Sequence, residues 1–157
     1  MWQIRELTAD LIRSAAECHI ASWQESYRGI VPDHVLDAFD IDERAAMWER
    51  RLADHPHATQ VAVEDGAVIG FATASPHELH ALYVRRYRHG SGVADELIGA
   101  AIGARPCSLW VFEANPRAQA FYRKHGFVPA GERKIEPFSG AMEIRMVRFN
   151  DDDKLEQ

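Results

Sequence analysis

The sequence predicts one mixed α/β domain, a central sheet of about seven strands flanked by helices. Three observations carry that expectation. The 157 residues suffice for a single hydrophobic core. Strand-like and helix-like segments follow in the order strand, helices, three strands, helix, strand, helix, two strands. Asp65-Gly66 joins two β-rich runs, the strongest hairpin signal in the chain. The domain is expected over 1–150, with the acidic run 151–157 as a disordered tail.

Each element has its own signal. Residues 2–8 alternate as a first strand, and Thr8 offers a capping hydroxyl to a helix from about Ala9 to Arg28, stopped by Gly29. Pro32 suits the start of a short helix, because a proline in the first turn forfeits no hydrogen bond. Asp40 or Asp42 opens a further helix through Leu52. Gln60–Ser75 reads as the hairpin and Glu78–Val84 as the next strand, followed by a glycine turn and a helix from Gly92 to Gly103. Cys107–Phe112 is a buried-looking strand. Asn115-Pro116 to Gly126 carries both the start and the stop of a helix. Phe127–Gly131 and Met142–Phe149 close as strands.

Composition narrows the class. With 46% apolar and 27% charged residues the chain has an ordinary globular profile. Eighteen basic against 24 acidic residues give a net charge of −6, which speaks against a nucleic-acid partner that would demand a basic face. No apolar run is long enough to span a membrane, and acids appear too early for a signal peptide, so a cytoplasmic protein is expected. Cys18 and Cys107 read as buried free thiols of a reducing compartment. His55-x-His57 and His77-x-x-His80 lack the remaining ligands of a tetrahedral site, so no metal is expected.

The turn His89-Gly90-Ser91-Gly92-Val93-Ala94 is either simply tight or a cradle for an anion at a helix N-terminus. A Walker A loop is excluded, since no Gly-Lys-Ser/Thr follows. A dinucleotide fingerprint is excluded too, because Asp95 stands where its third glycine belongs. The segment Glu78–Ile98, followed by Asn115–Phe127, resembles the GNAT superfamily of N-acetyltransferases. Gly92 and Ala94 match the last two fixed places of its Gln/Arg-x-x-Gly-x-Gly/Ala loop. Asn115, Ala118 and Tyr122 match its Asn-x-x-Ala-x-x-x-Tyr helix. His89 departs from the usual Gln or Arg.

The resemblance implies acetyl-CoA as cosubstrate, in a cleft between two splayed central strands. It puts the pantetheine arm against the backbone of Leu82, Tyr83 and Val84, and the diphosphate on amides from His89 to Ala94. Asn115, Ala118 and Phe121 would flank the arm, with Arg123 or Lys124 near a phosphate. It also allows a homodimer. The implied reaction is direct transfer of acetyl to a primary amine of a small molecule or peptide. Acetylation of protein N-termini or lysines, and non-catalytic acyl-CoA binding, remain open.

That chemistry has two proton problems. An alkylammonium with pKa near ~10.4 is neutral about once in ~2,500 molecules at pH 7, so a base must act, and the leaving thiolate needs an acid. Tyr122 is the candidate acid, although its spacing also suits a core aromatic beside Phe121. Glu78 and His80, two apart on a strand, are the candidate base pair, or else an exposed carboxylate and a core-edge histidine. The stretch is similar to the strand of arylalkylamine N-acetyltransferases that carries two histidines. Trp23 and Tyr27, one turn apart, with Glu25 or Asp33 nearby, could wall an amine-cation site or pack the core. Residues 136–140 are expected as a loop over the acceptor. Neither cysteine sits where a nucleophile would be activated.

Overall fold

The computed structural model describes residues 1–149; residue 150 and the expected tail lie outside the described residues. The chain runs β1 (Gln3–Glu6), α1 (Ile12–Tyr27), α2 (Asp33–Leu36), α3 (Ile41–Asp54), β2 (Thr59–Glu64), β3 (Ala67–Ala74), β4 (Leu79–Val84), α4 (Val93–Ile102), β5 (Cys107–Phe112), α5 (Pro116–Lys124), β6 (Val128–Ile135) and β7 (Met142–Arg148). Local chemistry explains most boundaries. Asp40 caps α3 by accepting from the Glu43 amide at 3.0 Å. Asn115 caps α5 the same way, accepting from Ala118 at 3.2 Å, with Pro116 in the first turn and Gly126 (φ +92°) at the end. Asp65 (φ +53°) and Gly66 (φ +79°) turn β2 into β3.

Two expectations need correction. Thr8 does not cap a helix: its hydroxyl donates to the Asp10 carboxylate, and a 3₁₀ turn (Ala9–Leu11) precedes α1. Strand β6 continues to Ile135, past the expected Gly131. Every residue of β6 is exposed, so no apolar alternation marked its length. The seven strands part at the splayed pair, as expected. Four antiparallel strands lie in the order β1-β2-β3-β4 and three in the order β5-β7-β6.

The two sheets meet at one parallel bridge, Glu78 with Ser108, where the Ser108 amide donates to the His77 carbonyl at 3.0 Å. Beyond it β4 and β5 part. Helices α1 and α3 cover one face of the first sheet with Ile12, Ala15, Ala16 and Trp48 over Val61 and Phe71. Helix α4 packs on the other face through Leu97, Ile98 and Ile102, continuous with Leu109, Phe127 and Met146. Gly70 permits this approach: a Cβ there would lie 3.0 Å from Leu97 Cδ1 and 3.0 Å from the Tyr83 carbonyl.

Candidate active site

The splay between β4 and β5 opens a cleft of about 840 Å³ that runs from the glycine turn to an aromatic end. Of the predicted site residues, Trp23, Glu25, Tyr27, His80, Leu82, Tyr83, Val84, His89, Gly90, Gly92, Ala94, Asn115, Ala118, Phe121 and Tyr122 line it. Glu78, Ser91 and Val93 do not; Val93 is buried in the core and Ser91 turns its hydroxyl onto the Arg88 carbonyl.

At the turn, the glycines answer first to conformation. Gly90 (φ +78°) and Gly92 (φ +99°) are left-handed, and a Cβ on either would meet nothing within 4 Å. Two of the six expected amides are already committed, His89 to the Arg86 carbonyl at 3.0 Å and Ser91 to the Arg88 carbonyl at 3.2 Å. Gly90, Gly92, Val93 and Ala94 have no backbone acceptor among the described residues, and the last two open α4, where the helix dipole adds positive charge. The charge of Asp95 is offset by Lys124 at 2.8 Å and His125 at 2.7 Å. Lys124 therefore lines the cleft already paired, and Arg123 does not line it. Arg117, overlooked in the sequence, lines the cleft with no ion-pair partner among the described residues.

Register decides what β4 offers. The Arg85 amide donates to Ile69, and pairs run Gly70–Val84, Phe71–Tyr83 and Ala72–Leu82. In an antiparallel ladder bonded pairs alternate, so the Tyr83 backbone is spent on β3 while Leu82 and Val84 face β5. His89 Nε2 donates to the Val84 carbonyl at 2.9 Å, which ties the turn to that edge. Its Nδ1 is buried without a partner, and burial pushes its pKa down.

Glu78 and His80 do meet, with Nδ1 3.0 Å from the carboxylate. Simple alternation is not the reason. Thr73 pairs with Ala81 and Ala74 with Leu79, so His80 is the extra residue of a β-bulge, while Glu78 precedes the strand. His80 Nε2 lies 2.9 Å from the Ser75 hydroxyl. Tyr122 is buried on the wall, packed on Phe121 and Phe127. Burial and then Tyr83 hold its pKa well above the ordinary phenol range.

The far end is aromatic. Trp23 stands edge-on to Tyr27 at 4.8 Å, Tyr27 stands edge-on to Phe112 at 4.7 Å, and the Tyr27 hydroxyl donates to that of Tyr83 at 3.0 Å. Phe138, in the β6–β7 loop, stacks on Phe39 at 5.8 Å. Glu25 is not the free carboxylate expected there. It accepts from Arg85 at 3.0 Å and the Arg86 amide at 3.1 Å, which together outweigh burial and keep its pKa low. Asp33 pairs with Arg28 at 3.2 Å and does not line the cleft. The carboxylate that does stand there, unpaired among the described residues, is Glu143, half-buried on β7 between Phe112 and Lys134 in register. Burial raises its pKa, with the charge of Lys134 acting against the shift. A carboxylate on the middle strand of a sheet was its one sequence signal.

Neither histidine pair gathers further ligands: among the described residues no three His, Cys, Asp or Glu side chains are grouped to hold a metal. Among them, too, no helix is long and apolar enough to cross a membrane.

The profile of the acetyltransferase (GNAT) family matches residues 14–127. The chain belongs to that family. The GNAT chain is 30% identical over 151 residues to YuaI, an uncharacterised N-acetyltransferase of Bacillus subtilis strain 168, covering 87% of this chain and 86% of that one. Its fold is similar to the PaiA N-acetyltransferase of Thermoplasma acidophilum, solved with coenzyme A. That match has a TM-score of 0.73 at 22% identity, covering 96% and 99% of the two chains. It is also similar to YncA of Salmonella typhimurium, a putative acetyltransferase solved with acetyl-CoA. Here the TM-score is 0.70 at 16% identity, covering 96% and 95%. The GNAT chain is an acetyltransferase.

Proposed function

We propose that this acetyltransferase carries acetyl from acetyl-CoA directly to the primary amine of a small molecule. The observation that carries the reading is the cleft between β4 and β5. It joins a turn of free amides, an unpaired strand edge and a buried phenol to an aromatic end. The residues fit the donor. Gly90, Gly92, Val93 and Ala94 amides take the diphosphate, the Val84 amide and the Leu82 backbone take the pantetheine arm, and Arg117 takes a remaining phosphate charge. Asn115 spends its side-chain oxygen on the cap and offers its amide NH₂.

His80 is the base. Glu78 fixes its Nδ1–H, leaving Nε2 to receive the ammonium proton through the Ser75 hydroxyl. Glu143 holds the incoming ammonium in the place first expected for Glu25, with the faces of Trp23, Tyr27 and Tyr83 around it. The free amine attacks the thioester carbonyl, and Tyr122 protonates the departing thiolate. Both thiols argue for direct transfer, since burial pushes Cys18 up to about 12 and raises Cys107 as well. The aromatic walls of Trp23, Tyr27 and Phe112 suit a small amine better than a protein N-terminus.

The test is CoA release from acetyl-CoA across a panel of amines, alongside direct titration of CoA. Turnover with a small amine and CoA binding are expected. CoA binding without turnover on any amine or peptide would leave only a binding module.

A further inference from the structure

A second cavity, about 1100 Å³, lies between α3, the loop after it and the start of β4. It shares Trp23, His80, Ala81 and Tyr83 with the active-site cleft, so the two adjoin at the bulge. Its charge runs against that of the chain. In a protein of net charge −6, this wall carries Arg44, Arg51 and Arg105 against the single carboxylate of Asp54.

Arg105 is held by the carbonyls of Ser75 at 3.0 Å and Pro76 at 3.2 Å. Arg44 and Arg51 have no carboxylate partner among the described residues. They lie over aromatic rings instead, Arg44 at 4.8 Å from Phe39 and Arg51 at 5.5 Å from Trp48. Seven residues apart on α3, they project from one side of the helix. Arg44 is part-buried and Arg51 exposed; desolvation lowers both pKa values, with Arg51 also acting on Arg44. A buried histidine lies beside them. His19 is 7% exposed, lines the same cavity, and its Nδ1 has no hydrogen-bond partner. Burial first, then Arg44 and Arg51, keep it neutral, so both guanidinium charges reach it. A part-buried cation without a carboxylate and a buried orphan nitrogen are costly unless something meets them.

We propose that this cavity binds an anionic group, carboxylate or phosphate, carried by the acceptor, with Arg44 and Arg51 as its donors. The acceptor is then an amine of opposite charge at its far end, reaching the cleft past His80 and Tyr83. Its identity as an acceptor rests on the acetyl-transfer reading; the anion site does not.

The anion site is tested first without turnover. Inorganic phosphate and acetate are titrated against the full chain at constant ionic strength, reading the thermal midpoint. A saturable rise is expected, lost in Arg44→Gln and Arg51→Gln and kept in Arg50→Gln, an exposed neighbour outside the cavity. The variants should fold with unchanged or higher midpoints without anion, because each removes an unpaired charge. No saturable rise, or an equal one in all variants, overturns the site.

Turnover then compares β-alanine with β-alaninamide, and phosphoethanolamine with ethanolamine. The anionic member should lead at least tenfold in kcat/KM, through KM, and the lead should vanish in Arg51→Gln. Whichever pair shows the larger lead assigns carboxylate or phosphate. Equal turnover within both pairs overturns the acceptor assignment. No turnover of any amine, with anion binding intact, counts against acetyl transfer and leaves the anion site standing.

Discussion

Tyr122 keeps its proton because burial, and then the neighbouring Tyr83, disfavour the phenolate. Tyr122→Phe removes the donor and little else, so kcat should fall about 10²–10⁴-fold. CoA affinity by titration should hold; unchanged kcat would dismiss the acid. Glu143 works in the opposite state. It must be ionised to hold an ammonium, and burial moves that ionisation to higher pH. The Glu143 step in the acid limb of kcat/KM should therefore lie above the ordinary carboxylate range, and Glu143→Gln should remove that step together with most activity. His19 has a cost of its own. Its pKa falls from 6.5 to about 3 in the fold, so between those values the unfolded chain binds a proton that the native one refuses. The sign follows: its contribution is complete above pH 6.5 and is lost as pH drops toward about 3. From pH 7 to 5 that loss is about 2 kcal/mol. Urea unfolding at both values should show His19→Gln losing less stability than wild type over the interval.

Elements show which signals were legible. The two glycines of the turn were visible in sequence, and their left-handed φ angles explain them before any ligand does. Gly92→Ala should cost about 1–3 kcal/mol in backbone strain and weaken CoA binding, read by denaturant midpoint and CoA titration. Gly70 was not legible, because its constraint comes from α4 lying across β3. Gly70→Ala should destabilise by about 1–3 kcal/mol, read by denaturant midpoint. The bulge at His80 was invisible for a related reason. One extra residue leaves the local pattern intact and shifts only the pairing. Strand β6, exposed throughout, carried no apolar period from which its end could be read. Glu25 misled because its partners, Arg85 and the Arg86 amide, lie some sixty positions along the chain.

At the scale of the molecule, the order of strands and helices could be read from hydrophobic period and capping residues, and so could the motifs flanking the cleft. The division into two sheets came only through the family resemblance, because it consists of pairings that β4 and β5 fail to make. That failure has a consequence for handling the protein. Two interior strands each keep a row of bare amides and carbonyls, the template on which a second chain can add by the same geometry. His89, closing on the Val84 carbonyl, masks one position of that row. A thiol-ester cofactor seated between the strands would cap the rest, so it should act as a solubility factor as well as a reactant. Light scattering during mild heating should rise earlier in cofactor-free enzyme than in enzyme saturated with CoA, and earlier still in His89→Ala.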